Sequence, residues 1–143
     1  MRFVLDASVT LTWLFADRNS SSRRYSESVL AALRQPQVHA DVPVTWGLEI
    51  ANAIRRAESR GDVLEAQSAA FLEMLSVLSI HADEATFVRS LDDTLAIARR
   101  YRLSSYDASY LELALRAGAS LASLDEDLVK AGRSAGVKRF TGA

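Results

Sequence analysis

Cysteine is absent from the chain, so neither a disulfide framework nor a thiolate metal site can be built. Proline occurs only at Pro36 and Pro43, and glycine six times, too sparsely for a linker or a low-complexity segment. Histidine is as scarce: His39 and His81 each stand alone in or beside an apolar stretch, where a structural role is commoner than ligation. No apolar run approaches the roughly 20 residues that a membrane-spanning helix needs. A surplus of one charge is also missing. Seventeen basic against 18 acidic residues, a formal net charge of −1, exclude a protein that coats nucleic acid by bulk electrostatics, while leaving room for a local basic patch. A strand signal already begins at Arg2 and leaves no space for a cleavable leader, so a cytoplasmic protein without membrane association is expected. What is present is 143 residues, 49% hydrophobic and 24% charged, enough for one well-packed core; residues 1–143 read as a single domain.

Short apolar strands alternate with helical patterns along the chain. Arg2–Leu5 reads as a strand, followed by a polar loop "ADRNSSSRR" and a helix over about Ser22–Arg34, with Tyr25, Val29, Leu30 and Leu33 at helical spacing. "VHADV" reads as a second strand; Pro43 precedes a helix through "TWGLEIANAIRRAESR" that Gly61 ends. A helix over about Asp62–Leu75 leads into "SVLSI", the third strand, and Asp83 is placed as the N-cap of a long helix ending near Tyr101. A helix over Ser105–Ala117, closed by Gly118, is followed by "ASLAS" as fourth strand, a short helix Glu126–Ala135 and "GVKRF" as fifth. Strands separated by helices imply an α/β fold: a central parallel sheet of about five strands with helices on both faces. In such sheets the functional crevice lies at the carboxyl ends of the strands, where the strand order reverses.

The stretch "FVLDAS" puts Asp6 at one of those carboxyl ends. Asp125, in "SLASLDEDL", follows the fourth strand as Asp6 follows the first. Asp107 opens the helix "YDASYLELALRAG" and has Tyr110, Leu111 and Ala114 as neighbours three, four and seven residues on, which puts it on the apolar face. A carboxylate there is costly unless paired or holding a metal. Glu49 lies inside the helix after Pro43, with Trp46 and Asn52 one turn to either side. Oxygen donors from four separate elements, with no cysteine and little histidine, suggest a hard cation, Mg²⁺ or Mn²⁺, rather than zinc.

Each residue has a plainer reading beside that one. Ser104 with Asp107, and Ser123 with Glu126, fit capping boxes, and Asp125 can itself be an N-cap. Glu49 can pair with Arg56 on its own helix surface. Asp6 can bond backbone amides at the turn, with Ser8 as the next cap. Asp41, Asp92, Asp93 and Asp127 read as solvated surface charges. Only the coincidence of four carboxylates weighs against these accounts.

The ordered set "FVLDAS", "PVTWGLEIANAI", "LSSYDASYLELAL" and "LASLDEDL" resembles the PIN domain family, in particular the VapC-type toxins of type II toxin–antitoxin pairs. The resemblance covers essentially the whole chain. It implies a three-layer α/β/α sandwich and a metal-dependent endoribonuclease, usually dimeric, held inactive by a VapB-type antitoxin. By position it assigns Asp6, Glu49, Asp107 and Asp125 as catalytic metal ligands, with Mg²⁺ as the expected ion and Mn²⁺ as an alternative. Asn52 and Ser123 match supporting positions; Ser123 stands where threonine is common, which leaves the hydroxyl in place. Ser8 is placed with them, small where substrate approaches.

Such an acidic pocket needs cations elsewhere to hold RNA, and Arg24, Arg55 and Arg56 are the candidates for phosphate contacts, against the plainer reading of a solvated helix face. Two further classes fit less well. A haloacid-dehalogenase-type phosphotransferase wants a second aspartate where Ser8 stands, and a receiver wants its phosphoacceptor after the third strand, where only Asp83 is offered. A non-toxin PIN nuclease and a non-catalytic PIN-like module that binds RNA or a partner are the remaining alternatives.

Overall fold

Phe3, Val4 and Leu5 are apolar in succession, without alternation, and none has any exposed surface. That pattern belongs to a strand covered on both faces, and β1 (Arg2–Leu5) is the centre of the sheet. The structure, a computed structural model, describes residues 1–15 and 19–142. Its elements run β1, α1 (Ala7–Thr12), α2 (Ser20–Leu33), β2 (His39–Pro43), α3 (Trp46–Ser59), α4 (Glu65–Ser76), β3 (Ile80–Asp83), α5 (Thr86–Ser90), α6 (Asp93–Tyr101), α7 (Ser105–Ala117), β4 (Ser120–Ala122) and α8 (Glu126–Ala135). The four strands are parallel in the order β3-β2-β1-β4.

Phe3 and Leu5 face a core with Val9, Val29 and Leu33 of α1 and α2. Val4 points the other way, into a core with Tyr110, Leu111 and Leu128 of α7 and α8. The result is the expected three-layer α/β/α arrangement. The α3–α4 pair stands to one side, its Ile50, Ile54 and Phe71 packed on Ala7 of α1. Since β1 has β2 on one side and β4 on the other, the strand order reverses between β1 and β4, and the crevice belongs at their carboxyl ends.

Five local expectations need correction. The segment after β1 is helical: Ala7–Thr12 forms α1 although Val9, Thr10 and Thr12 are β-branched, because burying Val9 and Thr10 under the sheet outweighs weak helix propensity. The serines of "SSSRR" are the first turn of α2, started by Asn19, whose side chain accepts from the Ser21 and Ser22 amides; Ala16, Asp17 and Arg18 of the expected loop lie outside the described residues. The third strand sits further on, at Ile80–Asp83, in register with Ala40–Pro43, so Asp83 closes a strand rather than capping a helix. The long helix placed after it is two, α5 and α6, broken around Leu91 and Asp92. Fourth in the chain but last in the sheet, β4 has no full fifth strand beside it: Arg139 makes one isolated bridge to Leu121, flanked by bonds from Leu121 N to Lys138 O and from Phe140 N to Leu121 O. A left-handed Gly136 at the end of α8 turns the chain, which leaves little of "GVKRF" to pair.

Asp41 is likewise not a solvated surface charge. It is buried and ion-paired with Arg2 on the neighbouring strand. His39 and His81 lie side by side on β2 and β3, ring centroids 5.7 Å apart, at the amino ends of the strands and so opposite the crevice. No helix among the described residues is long and apolar enough to cross a membrane.

Candidate active site

The β1 and β4 ladders stay paired to their tips, where Asp6 N donates to Ala122 O at 2.9 Å, so the next residue of each strand end meets the other. Asp6 is only 4% exposed and stands at the N-cap of α1, yet its side chain makes no capping bond to that helix. Its Oδ2 instead accepts from the hydroxyls of Ser8 at 2.6 Å and Ser123 at 2.7 Å. Both hydroxyls are themselves fixed. Leu124 N donates to Ser8 Oγ at 3.0 Å and Asp125 N to Ser123 Oγ at 3.0 Å. With an amide filling an acceptor site on each oxygen, each single hydroxyl hydrogen is directed at Asp6. Ser123 is therefore neither a cap nor a solvent group, and it ties Asp6 to the loop that carries Asp125.

Asp125 does cap α8, its Oδ1 accepting from Leu128 N at 3.1 Å. Asp107 sits in the first turn of α7, whose cap is Ser104, with Asp107 N donating to Ser104 Oγ at 3.1 Å. Glu49, in the first turn of α3, accepts from the Tyr110 hydroxyl at 3.0 Å and has no bond to Arg56. Asn52 lies one turn further along α3 and is exposed. Arg24, Arg55 and Arg56 are exposed as well; Arg55 borders an apolar groove of about 370 Å³ between α3 and α4, with Trp46, Ile54 and Leu72.

Electrostatics link the carboxylates. Burial pushes the Asp6 carboxyl above its usual range and Asp125 adds to the shift, against the lowering effect of the two serine hydroxyls. Burial pushes Glu49 up to about 7; the Tyr110 bond opposes this, while the charges of Asp6 and Asp107 add to it. Asp107 is raised by burial first and then by Asp125 and Asp6, with Asp127 a further contributor and Ser104 opposing. Among the described residues none of these four carboxylates has an ion-pair partner. Like charges held together without a cation oppose their own ionisation.

The donor chemistry suits a hard cation: carboxylate and hydroxyl oxygens, with neither sulfur nor imidazole at the strand ends. Among the described residues no three His, Cys, Asp or Glu side chains are grouped so that they could hold a metal ion.

Sequence reasoning placed Tyr110 only as an apolar neighbour of Asp107. The signal for more was there: it lies three residues after Asp107 on one helix face, carrying a polar atom into a core that has to satisfy it. Arg139 was also missed. Its guanidinium lies 3.8 Å over the Tyr25 ring and donates to Ser123 O at 3.1 Å, fixing the outer side of the strand-end loop. A larger cavity, about 530 Å³, lies between α6 and α7 and is lined by Arg89, Asp93, Arg100, Glu112 and Arg116, with none of the four carboxylates.

The chain is similar to known proteins. Ribonuclease VapC3 from Pyrobaculum aerophilum is 26% identical over 134 residues, covering 91% of this chain and 94% of that protein. The crystal structure of PAE2754 from the same organism superimposes with a TM-score of 0.64 at 20% identity, covering 92% of this chain and 84% of the other, a likeness of fold. A family model described as the PIN domain matches residues 3–134, and the chain belongs to the PIN domain family.

Proposed function

We propose that the protein is a metal-dependent endoribonuclease, with Asp6, Glu49, Asp107 and Asp125 as its catalytic carboxylates. The observation that carries this reading is the buried Asp6, held by two directed hydroxyls and surrounded by acidic groups that lack a cationic partner among the described residues. Such an arrangement costs stability and has no structural return unless a cation completes it. Membership of the PIN family and the likeness to a ribonuclease support the same conclusion.

In this reading Asp6 and Asp107 hold Mg²⁺, or Mn²⁺ in its place, and Glu49 and Asp125 act directly or through its waters. An ion bound there would lower the pKa of a water, making it a nucleophile near neutral pH, and would neutralise charge on the phosphoryl oxygens. The chain does the rest. Ser8 and Ser123 keep the Asp6 carboxylate in one orientation. In this reading Asn52, exposed one turn after Glu49, supports the carboxylate site, and the exposed Arg24, Arg55 and Arg56 side chains contact RNA phosphates.

The wider role we propose is that of the toxin of a VapBC-type pair, cytoplasmic, folded as one domain over residues 1–143, and neutralised by a VapB-type antitoxin. A homodimer is part of this reading, supported by Phe87 and Val88 on α5 and Leu91 just after it, between 74% and 87% exposed, beside Val44, whose amide donates to Thr86 Oγ1.

The test is RNA cleavage by the purified protein with and without Mg²⁺, the parent against Asp6→Ala. Cleavage that requires the ion and is lost in the variant is expected. Equal cleavage by the two proteins would remove the assignment, and Mg²⁺-independent RNA binding without cleavage would favour a non-catalytic PIN module.

A further inference from the structure

Among the described residues Tyr110 is the largest side chain with no exposed surface. A buried tyrosine can satisfy its hydroxyl with any nearby backbone carbonyl, as Tyr25 does with Phe140 O at 2.7 Å. Tyr110 spends its only hydrogen otherwise, on Glu49 Oε1 at 3.0 Å, across 61 residues of sequence. The hydroxyl also lies within the field of Asp6 and against the amide of Ala7. It therefore stands where three elements meet: the end of β1, the first turn of α3 and α7. Asp107 is one turn earlier on the same helix, so α7 brings a carboxylate to the site and, behind it, the group that holds a second one.

Glu49 needs such a hold. It has three side-chain torsions, is only partly buried, and has no other hydrogen-bond or ion-pair partner among the described residues. Left alone, a glutamate beside two aspartates would swing towards solvent to escape like charge. We propose that Tyr110 is a positioning residue for the reaction: through its hydroxyl it fixes Glu49 Oε1, leaving Oε2 to face the Asp6–Asp107 side, where cation and RNA meet. This inference rests on the nuclease reading above and assigns a role that the carboxylate set alone does not contain. Partners of this kind, which orient a ligand without touching the ion, are typically worth about 10- to 100-fold in metal affinity or activity.

The test compares the parent, Tyr110→Phe, Glu49→Ala and the double variant, each first by Mn²⁺ titration without RNA, followed by the paramagnetic signal of free Mn²⁺, and then by cleavage kinetics. Tyr110→Phe keeps the ring and its packing. The expected result is Mn²⁺ affinity weakened about tenfold and kcat lowered 10- to 100-fold, with KM for RNA within about threefold because the phosphate contacts lie elsewhere. If Tyr110 acts through Glu49, adding Tyr110→Phe to Glu49→Ala weakens Mn²⁺ binding no further. Parental Mn²⁺ affinity and kcat in Tyr110→Phe would overturn the inference, as would losses that add fully in the double variant. Asp6→Ala separates the two levels: if it loses Mn²⁺ binding while Tyr110→Phe does not, the positioning role fails and the nuclease site stands. If the parent binds no Mn²⁺, both fall.

Discussion

The two ends of α7 treat charge in opposite ways. Near its carboxyl end Glu112, only 4% exposed, accepts from Arg116 at 2.8 and 3.1 Å, and the same guanidinium donates to Asp83 at 3.1 and 2.6 Å. Burial pushes Asp83 up, but the Arg116 bond and charge, with the Ala85 amide and the Thr86 hydroxyl, bring it below its ordinary value. At the amino end Asp107 feels the charges of Asp6, Asp125 and Glu49 with no arginine paired to it among the described residues, and its carboxyl is pushed the other way. One helix thus carries a finished ionic network that fastens α7 to the end of β3, and an unfinished one beside the strand ends of β1 and β4. The finished end has a structural purpose. The unfinished end is where an outside cation has something to contribute.

Mutations that break this contrast should separate activity from stability. On the unfinished end, Asp107→Asn is expected to lower RNA cleavage by about 10³-fold, the scale of roughly 4 kcal/mol for losing a charge that holds a catalytic ion. The melting temperature of the metal-free protein should hold or rise, because one of several repelling charges is gone. On the finished end, Arg116→Met is expected to do the reverse. It strands buried Glu112 and Asp83, which costs about 2–3 kcal/mol after allowing for the partial exposure of the arginine, and a melting point lower by roughly 5–10 °C. Cleavage per folded molecule should stay within about threefold. If Arg116→Met abolishes cleavage in protein that is still folded, the two ends are not independent.

How far this contrast could be read beforehand depends on distance along the chain. The α/β order, the α7 boundaries and the position of Asp6 at a strand tip follow from local patterns: apolar runs, a serine cap at Ser104 and Gly118 in the left-handed conformation at the helix end. The failures are non-local. α1 is helical because burial overrides β-branched propensity, and α5 opens on Thr86, whose hydroxyl accepts from the Val44 amide 42 residues away. Asp41 and Asp83 resembled surface or capping residues because their partners, Arg2 and Arg116, are remote in sequence. The same holds for the site. Its carboxylates were visible one motif at a time, while the Ser8 and Ser123 hydroxyls that direct Asp6, and the Tyr110 bond to Glu49, exist only once the elements have met.

The opposite shifts also predict opposite responses to pH. Glu49, raised from 4.5 to about 7, binds more proton folded than unfolded across that interval, so its contribution to stability is present below pH 4.5 and is lost as pH rises through 7. Asp6 and Asp107 shift in the same direction and add to the trend. Asp83, lowered, contributes above its unfolded value near 3.8 and is lost only as pH falls through the lower folded one. Between pH 5 and 8 the unfinished end therefore dominates, and the metal-free protein should melt at a lower temperature at pH 8 than at pH 5. Mg²⁺ should restore most of the difference at pH 8 and little at pH 5, where protons compete for the carboxylates. A melting temperature that rises with pH in the absence of metal would show that the acidic groups are compensated after all.

The smallest expected effect tests how Asp6 is oriented. Ser123→Ala deletes one of the two hydroxyls on Asp6 Oδ2 and also frees the Asp125 amide, while Ser8 still donates at 2.6 Å. A hydrogen bond to a charged group is worth about 1.5–3 kcal/mol, part of which the remaining serine retains. A loss of cleavage near tenfold is expected, read as kcat at saturating Mg²⁺, with a further loss when Ser8→Ala is added. The double variant should lose more than the product of the singles, because either hydroxyl alone still directs the carboxylate and the pair acts as one unit. Losses that multiply independently would mean that each serine serves only its own loop, Ser8 the Leu124 amide and Ser123 the Asp125 amide, and that Asp6 is held in place by the strand end rather than by its hydroxyl partners.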